Sequence, residues 1–315
     1  IADFSEPQKT RPKEGVYELY SKGLELNDTK PRKALEYYLK ALALDPEYID
    51  ALLKTGSLYD DLKEFEEALN YLSKARSILD KRGEMNSAEY AEILNNIGVV
   101  YRDMSDYENA LECYSKSQKI RENLNIANTA NFAETSSNIG IVYVDTGKYD
   151  EAIVCYLKSK KIFDSIGFQN SSKYAILINN IGGVYWIKGD NNMALKYYLK
   201  SREIRDKLEL QVTPGYAYLM NNIGGVHWKK GDNTKAVECY EKSLEIRNLL
   251  GLQNTESYSV LLNNIALTYH KRLKDPCKGA EYMKRCVEID KKNNFIRLPS
   301  DIKDYKEMQE ACRVK

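Results

Sequence analysis

A period of 42 residues runs through this chain and sets the terms for its fold. Small residues stand at Gly56, Gly98, Gly140, Gly182, Gly224 and Ala266, each 42 residues after the last. Five equal steps without a gap mean that one structural unit is copied along the chain. Each copy must bury its apolar face against the next. Around the small residue the frame is repeated closely: "LNNIGVVY" from Leu94, "SSNIGIVY" from Ser136, "INNIGGVY" from Ile178, "MNNIGGVH" from Met220 and "LNNIALTY" from Leu262.

Within each period two helical patterns alternate. Leu94, Ile97, Gly98 and Tyr101 have the 3-4-7 spacing that puts side chains on one face of a helix. Glycine in a helix interior costs roughly 1 kcal/mol relative to alanine, so its return at one register predicts a close crossing by a partner helix. Turns follow at "DTGKYD", "IKGDNN" and "KKGDNT". Gly147, Gly189 and Gly231 suit the left-handed residue that closes a helix, and Asp190 and Asp232 suit the N-cap of the next. The second helix carries Ala110, Tyr114, Ser117, Ile120 and Leu124 at helical spacing, with counterparts in the copies that follow. No alternating apolar run bounded by tight turns predicts a strand.

The first copy is shorter and ends at Asp45-Pro46. The last is irregular, with an inserted "KDPC" before "KGAEYMKRCVEID". Residues 1–14 are polar with two prolines and read as a poorly ordered lead-in. Beyond Pro299 a polar amphipathic stretch suits the cap that a stack of repeats needs at its end. The chain begins at Ile1 rather than Met, which reads as a fragment.

Composition narrows the functional classes. Lys+Arg 47 against Asp+Glu 46 gives a net charge of +1. Wholesale binding to nucleic acid or to a membrane surface needs a basic excess that is absent here. No apolar run is long enough to span a bilayer. The six cysteines include no Cys-x-x-Cys pair, and in a chain this long they read as small reduced thiols of a cytoplasmic protein. His227 and His270 are the only histidines, and their spacing is not that of a metal site. There is no phosphate-binding glycine loop and no nucleophile elbow. The expectation is no catalysis, no cofactor and no metal.

The segment "LNNIGVVYRDMSDYENALECYSKSQKI" resembles the tetratricopeptide repeat, whose pattern is a bulky residue, Leu-Gly, Tyr, then Ala, an aromatic and Ala. Leu94, Ile97, Gly98, Tyr101, Ala110 and Tyr114 carry the likeness, and Ser117 stands where alanine is usual. The 42-residue length, the "LNN" opening and "KIRENL" are similar to the repeats of kinesin light chains, and spindle-orienting adaptors also carry lengthened repeats. The His-Pro that precedes each light-chain repeat is missing here. The resemblance implies an all-α, right-handed α-solenoid of seven helix pairs with a C-terminal capping helix. The repeats would fall at about 15–48, 49–90, 91–132, 133–174, 175–216, 217–258 and 259–293, with the cap at 294–315.

In such a stack the first helices line a concave groove. Asn96, Asn138, Asn180, Asn222 and Asn264 recur 42 residues apart on those helices. An amide can pair with both the N–H and the C=O of an extended peptide, and the resemblance implies that use. The alternative is that the amides only tie one repeat to the next. Trp186 and Trp228, the only tryptophans, occupy one equivalent position and would anchor side chains or pack between repeats. Arg102 and Asp103 early in the groove, with Lys229, His270 and Lys271 late in it, complete the candidate peptide-binding set. The early repeats are acidic and the later ones basic. A ligand's acidic or C-terminal end is therefore expected at Lys229/Lys271, and a basic end near Asp60/Asp103. The function that follows is a non-catalytic scaffold holding a protein or extended peptide. The alternatives are a peptide-sensing module of a larger signalling protein and the targeting arm of an enzyme.

Overall fold

A computed structural model describes residues 15–27 and 29–314; the expected lead-in, 1–14, lies outside the described residues. Every described element is helical: α1 (Val16–Leu26), α2 (Pro31–Leu44), α3 (Ile49–Asp61), α4 (Phe65–Arg82), α5 (Ala88–Asp103), α6 (Tyr107–Asn123), α7 (Ala130–Asp145), α8 (Tyr149–Ser165), α9 (Ser172–Ile187), α10 (Asn191–Lys207), α11 (Pro214–Lys230), α12 (Asn233–Leu249), α13 (Glu256–Leu267), α14 (Pro276–Asn293) and α15 (Leu298–Arg313). A π-helical turn, Thr268–Arg272, extends α13. Odd and even helices pair as hairpins, α1 with α2, α3 with α4, α5 with α6, α9 with α10, α11 with α12 and α13 with α14, and α15 lies against α14; Gly140 of α7 meets the Tyr156 ring of α8. No described helix is long and apolar enough to cross a membrane.

The residues up to Ile162 form one compact unit and those from Phe163 a second, the division falling inside α8. The first is built on Leu52, Leu72, Leu79, Ile93 and Ile97. The second is built on Tyr258, Leu261, Leu262, Ile265 and Met283, with Met220 and Ile223 in an adjoining cluster.

The predicted close crossing is present. A Cβ added to Gly98 would stand 2.7 Å from the Tyr114 ring, and one added to Gly224 would stand 2.6 Å from the ring of Tyr240. The glycine is where the tyrosine ring of the paired helix comes closest. Ala266 keeps the exchange by moving the glycine across the hairpin: Gly279 of α14 faces it, and a Cβ there would meet the Ala266 carbonyl at 3.0 Å. The unusual serines also find a use. Ser117, Ser201 and Ser243 are fully buried and donate to the carbonyls of Ala91, Ala175 and Ala217 at 2.6, 2.7 and 2.6 Å. Each bond ties the second helix to the start of the first.

Helix starts follow a rule that the opening frame does not display. Ser87, Thr129, Ser171, Thr213 and Thr255 are N-caps, and each side chain accepts from the backbone N–H three residues on. Such caps satisfy donors that the helix leaves unpaired. Asp190 caps α10 as predicted. Asp232 holds the N-cap position of α12 without a side-chain bond to the helix, and its carboxylate lies 3.3 Å from His227 Nδ1 instead. Gly189 and Gly231 adopt the left-handed conformation expected of them, at φ 82° and 84°.

Two features differ from expectation. Cys277 and Cys312 form a disulfide joining the start of α14 to the end of α15, with Cα atoms 4.8 Å apart. Four of the six cysteines remain thiols. Nothing in the spacing of 35 residues displays the pairing; only the return of α15 along α14 brings the two together. The second difference is the π turn. Gly224 and Ala236 are 12 residues apart, but Ala266 and Gly279 are 13 apart. A wider turn at the end of the helix absorbs the extra residue.

Candidate functional site

The second unit holds a cavity of about 310 Å3, lined by Trp186, Trp228, Asn221, Asn222, Asn264 and Lys229, with Tyr198, Tyr240, Gly225 and Leu267 completing it. The repeat explains its existence. Position 225 corresponds to Val99, Ile141 and Leu267 in other copies, so glycine removes a side chain that the frame would otherwise place there. A Cβ at Gly225 would stand 3.8 Å from Trp186 and from the Tyr240 hydroxyl. Alanine fits that space; a larger residue enters the cavity. Burial raises the Tyr198 and Tyr240 hydroxyls above their ordinary range, so both remain protonated.

The tryptophans belong to adjacent first helices, α9 and α11. Lys229 Nζ lies 6.0 Å from the Trp186 ring centroid and 5.8 Å from that of Trp228. The guanidinium of Arg272 lies closer, 4.5 Å from the Trp228 centroid. At these distances the ring faces attract the cations. The cavity therefore has indole walls, amides along one side and positive charge at its rim.

The asparagine row divides by role. Asn138 Nδ2 donates to Asn95 Oδ1 at 3.2 Å, and Asn264 Nδ2 donates to Asn221 Oδ1 at 3.2 Å. These bonds run from one repeat to the next. Asn96 accepts from Asn95 at 3.4 Å and Asn180 accepts from Asn179 at 3.5 Å. One rung is unmade. By the repeat, Asn222 is the donor that would reach Asn179, yet Asn179 Oδ1 is buried with no hydrogen-bond partner and Asn222 lines the cavity.

His270 and Lys271 do not line the cavity; Leu267 and Asn264 supply that helix's contribution. The π turn is the reason, since both residues lie within it. His270 Nδ1 is buried without a partner and Lys271 is exposed. Arg102 and Asp103 lie in the first unit and are occupied with each other: Arg102 Nη2 is 2.6 Å from Asp103, and Lys63 Nζ is 2.7 Å from the same carboxylate. Reasoning from the repeat frame missed Asn221, Gly225, Tyr198, Tyr240 and Arg272. The paired glycine at 182–183 and 224–225 was the available signal for Gly225.

Among the described residues one cluster has metal-ligand chemistry: Cys286, Asp290 and Asp301, buried between α14 and α15. Hydrogen bonds account for it. Ser259 donates to Asp290, Asn263 Nδ2 donates to Asp301 at 2.9 Å, and the Cys286 thiol donates to the Ser259 carbonyl at 3.4 Å.

The tetratricopeptide repeat family model matches residues 47–123, 89–165, 131–207 and 215–292. No curated protein sequence matches the chain. Among solved structures, the apo form of RapI is similar with a TM-score of 0.62 at 20% identity, over 89% of this chain and 98% of that one. A Rap protein solved in complex with Competence and Sporulation Factor gives 0.62 at 21% identity, over 91% of this chain and 76% of that one. Kinesin light chain TPR-like repeats from Podosopora anserina give 0.53 at 13% identity, over 65% and 97%. At these identities the likeness is one of fold. With the glycine–tyrosine crossings and the paired helices in place, and most of the chain matched by the family model, this chain belongs to the tetratricopeptide repeat family.

Proposed function

We propose that the chain is a non-catalytic scaffold that binds a protein segment, and that the cavity between Trp186 and Trp228 is where an apolar side chain of that segment is anchored. The unmade rung carries the proposal. Asn222 faces a cavity that the repeat could have filled at position 225, and its counterpart Asn179 lacks the bond that other rungs make. A polar group left in this state is stabilised by a ligand that supplies the missing partners. The amide meets the ligand's backbone and the indoles meet its side chain. Lys229 favours a carboxylate nearby, whether acidic side chain or C-terminus. That a Rap relative was solved with Competence and Sporulation Factor bound supports a binding role for this fold.

Panning a random dodecapeptide phage library on the full chain tests the proposal. Enriched peptides should share one bulky apolar residue close to an acidic one, and their binding should weaken at least threefold in Asn222→Ala. Enrichment of peptides that bind Asn222→Ala and Trp186→Ala as well as the wild type would refute it.

A further inference from the structure

The corner of the first unit that corresponds to this cavity has different chemistry. In the 42-residue register, Asp60 and Arg102 hold the positions that Trp186 and Trp228 hold three copies later, and Tyr114 likewise corresponds to Tyr240. In the second unit those positions line the cavity. In the first unit α3 lies against α5 and α5 against α7, and these three helices end on Asp60-Asp61, Asp103 and Asp145. Carboxylates at helix C-termini stand where the backbone dipole is already negative, which is unfavourable for folding and favourable for a cation.

The cations present do not neutralise this corner. Arg102 directs Nε and Nη2 at Asp103, at 2.9 and 2.6 Å, and Lys63 binds the same carboxylate at 2.7 Å. Burial alone would raise the Asp103 carboxyl, but these two partners hold it below its ordinary value. Asp60 is left out. Its residue is only 6% exposed, and Oδ1 is buried without a hydrogen-bond partner. The hydroxyl of Tyr114, a residue with no exposed surface, is also buried and unpartnered. Asp60 and Tyr114 both lie within electrostatic reach of Arg102 and Asp103. Burial first, and Asp103 next, push the Asp60 carboxyl up to about 6. An internal ion pair would have used Asp60; it is a charged acceptor kept in place with nothing to accept from.

We propose that Asp60, Asp103 and Tyr114 form a binding site for a guanidinium group, the side chain of an arginine on a partner polypeptide. A guanidinium offers several donors in one plane, so one group can donate to more than one acceptor of this corner. It is also more weakly hydrated than an ammonium and enters a buried site at lower cost. The site lies within the first unit and stands whether or not the tryptophan cavity binds anything.

The test is an NMR titration of the full chain with N-acetyl-arginine amide, beside N-acetyl-citrulline amide, its uncharged isostere, and N-acetyl-lysine amide. The arginine probe should shift the signals of Asp60, Arg102 and Asp103 saturably and lower the titration midpoint of the Asp60 carboxyl. Citrulline amide should do neither, and lysine amide should bind more weakly. Asp60→Asn should lose about tenfold in arginine affinity while its melting temperature stays level or rises. Equal binding of the citrulline probe, arginine binding unchanged in Asp60→Asn, or no saturable shift would overturn the proposal. Equal binding of the lysine probe would overturn the assignment to a guanidinium. Should Asp60→Asn fail to fold, the arginine–citrulline comparison on the wild type decides alone.

Discussion

A single amide side chain does two jobs in this protein, and the repeat makes the comparison controlled. Asn138 bonds across to Asn95, whereas Asn222 faces the cavity. Removing a neutral hydrogen bond costs about 0.5–1.5 kcal/mol, and Asn95 Oδ1 keeps the Thr135 hydroxyl as a second donor at 3.0 Å. Asn138→Ala is therefore expected to lower stability by about 0.5–1.5 kcal/mol, read by urea denaturation. Asn222→Ala should leave stability within about 0.5 kcal/mol of wild type and appear in ligand affinity instead. The sequence displayed the row of asparagines clearly. It did not display which rungs are made, because the same asparagine spacing accompanies both outcomes: Asn95 Oδ1 accepts from Asn138 and from Thr135, whereas Asn179 Oδ1 accepts from neither a rung nor a neighbour. Glycine 98 is the converse case. Its register alone foretold a close crossing, and the Tyr114 ring is the partner. Gly98→Ala gains about 1 kcal/mol of helix propensity but drives a methyl into that ring, so a net loss of about 1–2 kcal/mol is expected in the same denaturation experiment.

At the scale of elements, helix boundaries were legible where a glycine or aspartate punctuates the turn, and the second helices were placed by their alanine–tyrosine spacing. The Ser and Thr caps of α5, α7, α9, α11 and α13 recur every 42 residues too, but they fall outside the apolar frame that drew attention to the repeat. The terminal helix was foreseen as an amphipathic cap; what holds it was not. Asp290 and Asp301 are fully buried across the α14–α15 contact. Burial, and then its hydrogen bond with Asp290, raise the Asp301 carboxyl to about 7, against Arg297, which favours the charged form. A carboxyl raised from 3.8 on folding binds its proton more tightly in the native state. Its contribution to docking α15 is complete below about pH 4 and is lost as pH rises through about 7. Hydrogen exchange in α15, corrected for intrinsic rates, should therefore show more opening at pH 8 than at pH 6, with the difference flattened in Asp301→Asn. Reducing Cys277–Cys312 should lower the stability of this end by about 2–4 kcal/mol, seen as earlier exchange in α15 with the first unit unchanged.

For the whole molecule, the exact period and the helical spacing within it foretold an all-helical chain, and the resemblance to the tetratricopeptide repeat supplied the seven hairpins and the cap. Departures from the period proved more informative about function than the period itself. One extra residue between Ala266 and Gly279 produces the π turn that takes His270 and Lys271 away from the cavity. A missing side chain at Gly225 leaves the cavity open. Lys229 beside the indoles places local positive charge at the cavity of a chain whose net charge is +1. Intrinsic tryptophan emission reports on the cavity without a label, since the chain's only two tryptophans both line it. The most direct test is to titrate a library-selected peptide against the wild type and against Gly225→Val, which restores the side chain found at Val99, while following that emission. A saturable change in the wild type, reduced at least tenfold in affinity in a Gly225→Val protein of unchanged melting temperature, is the predicted result. Equal affinity in the two proteins, or binding that leaves the emission untouched, would contradict the assignment of this cavity as the binding site.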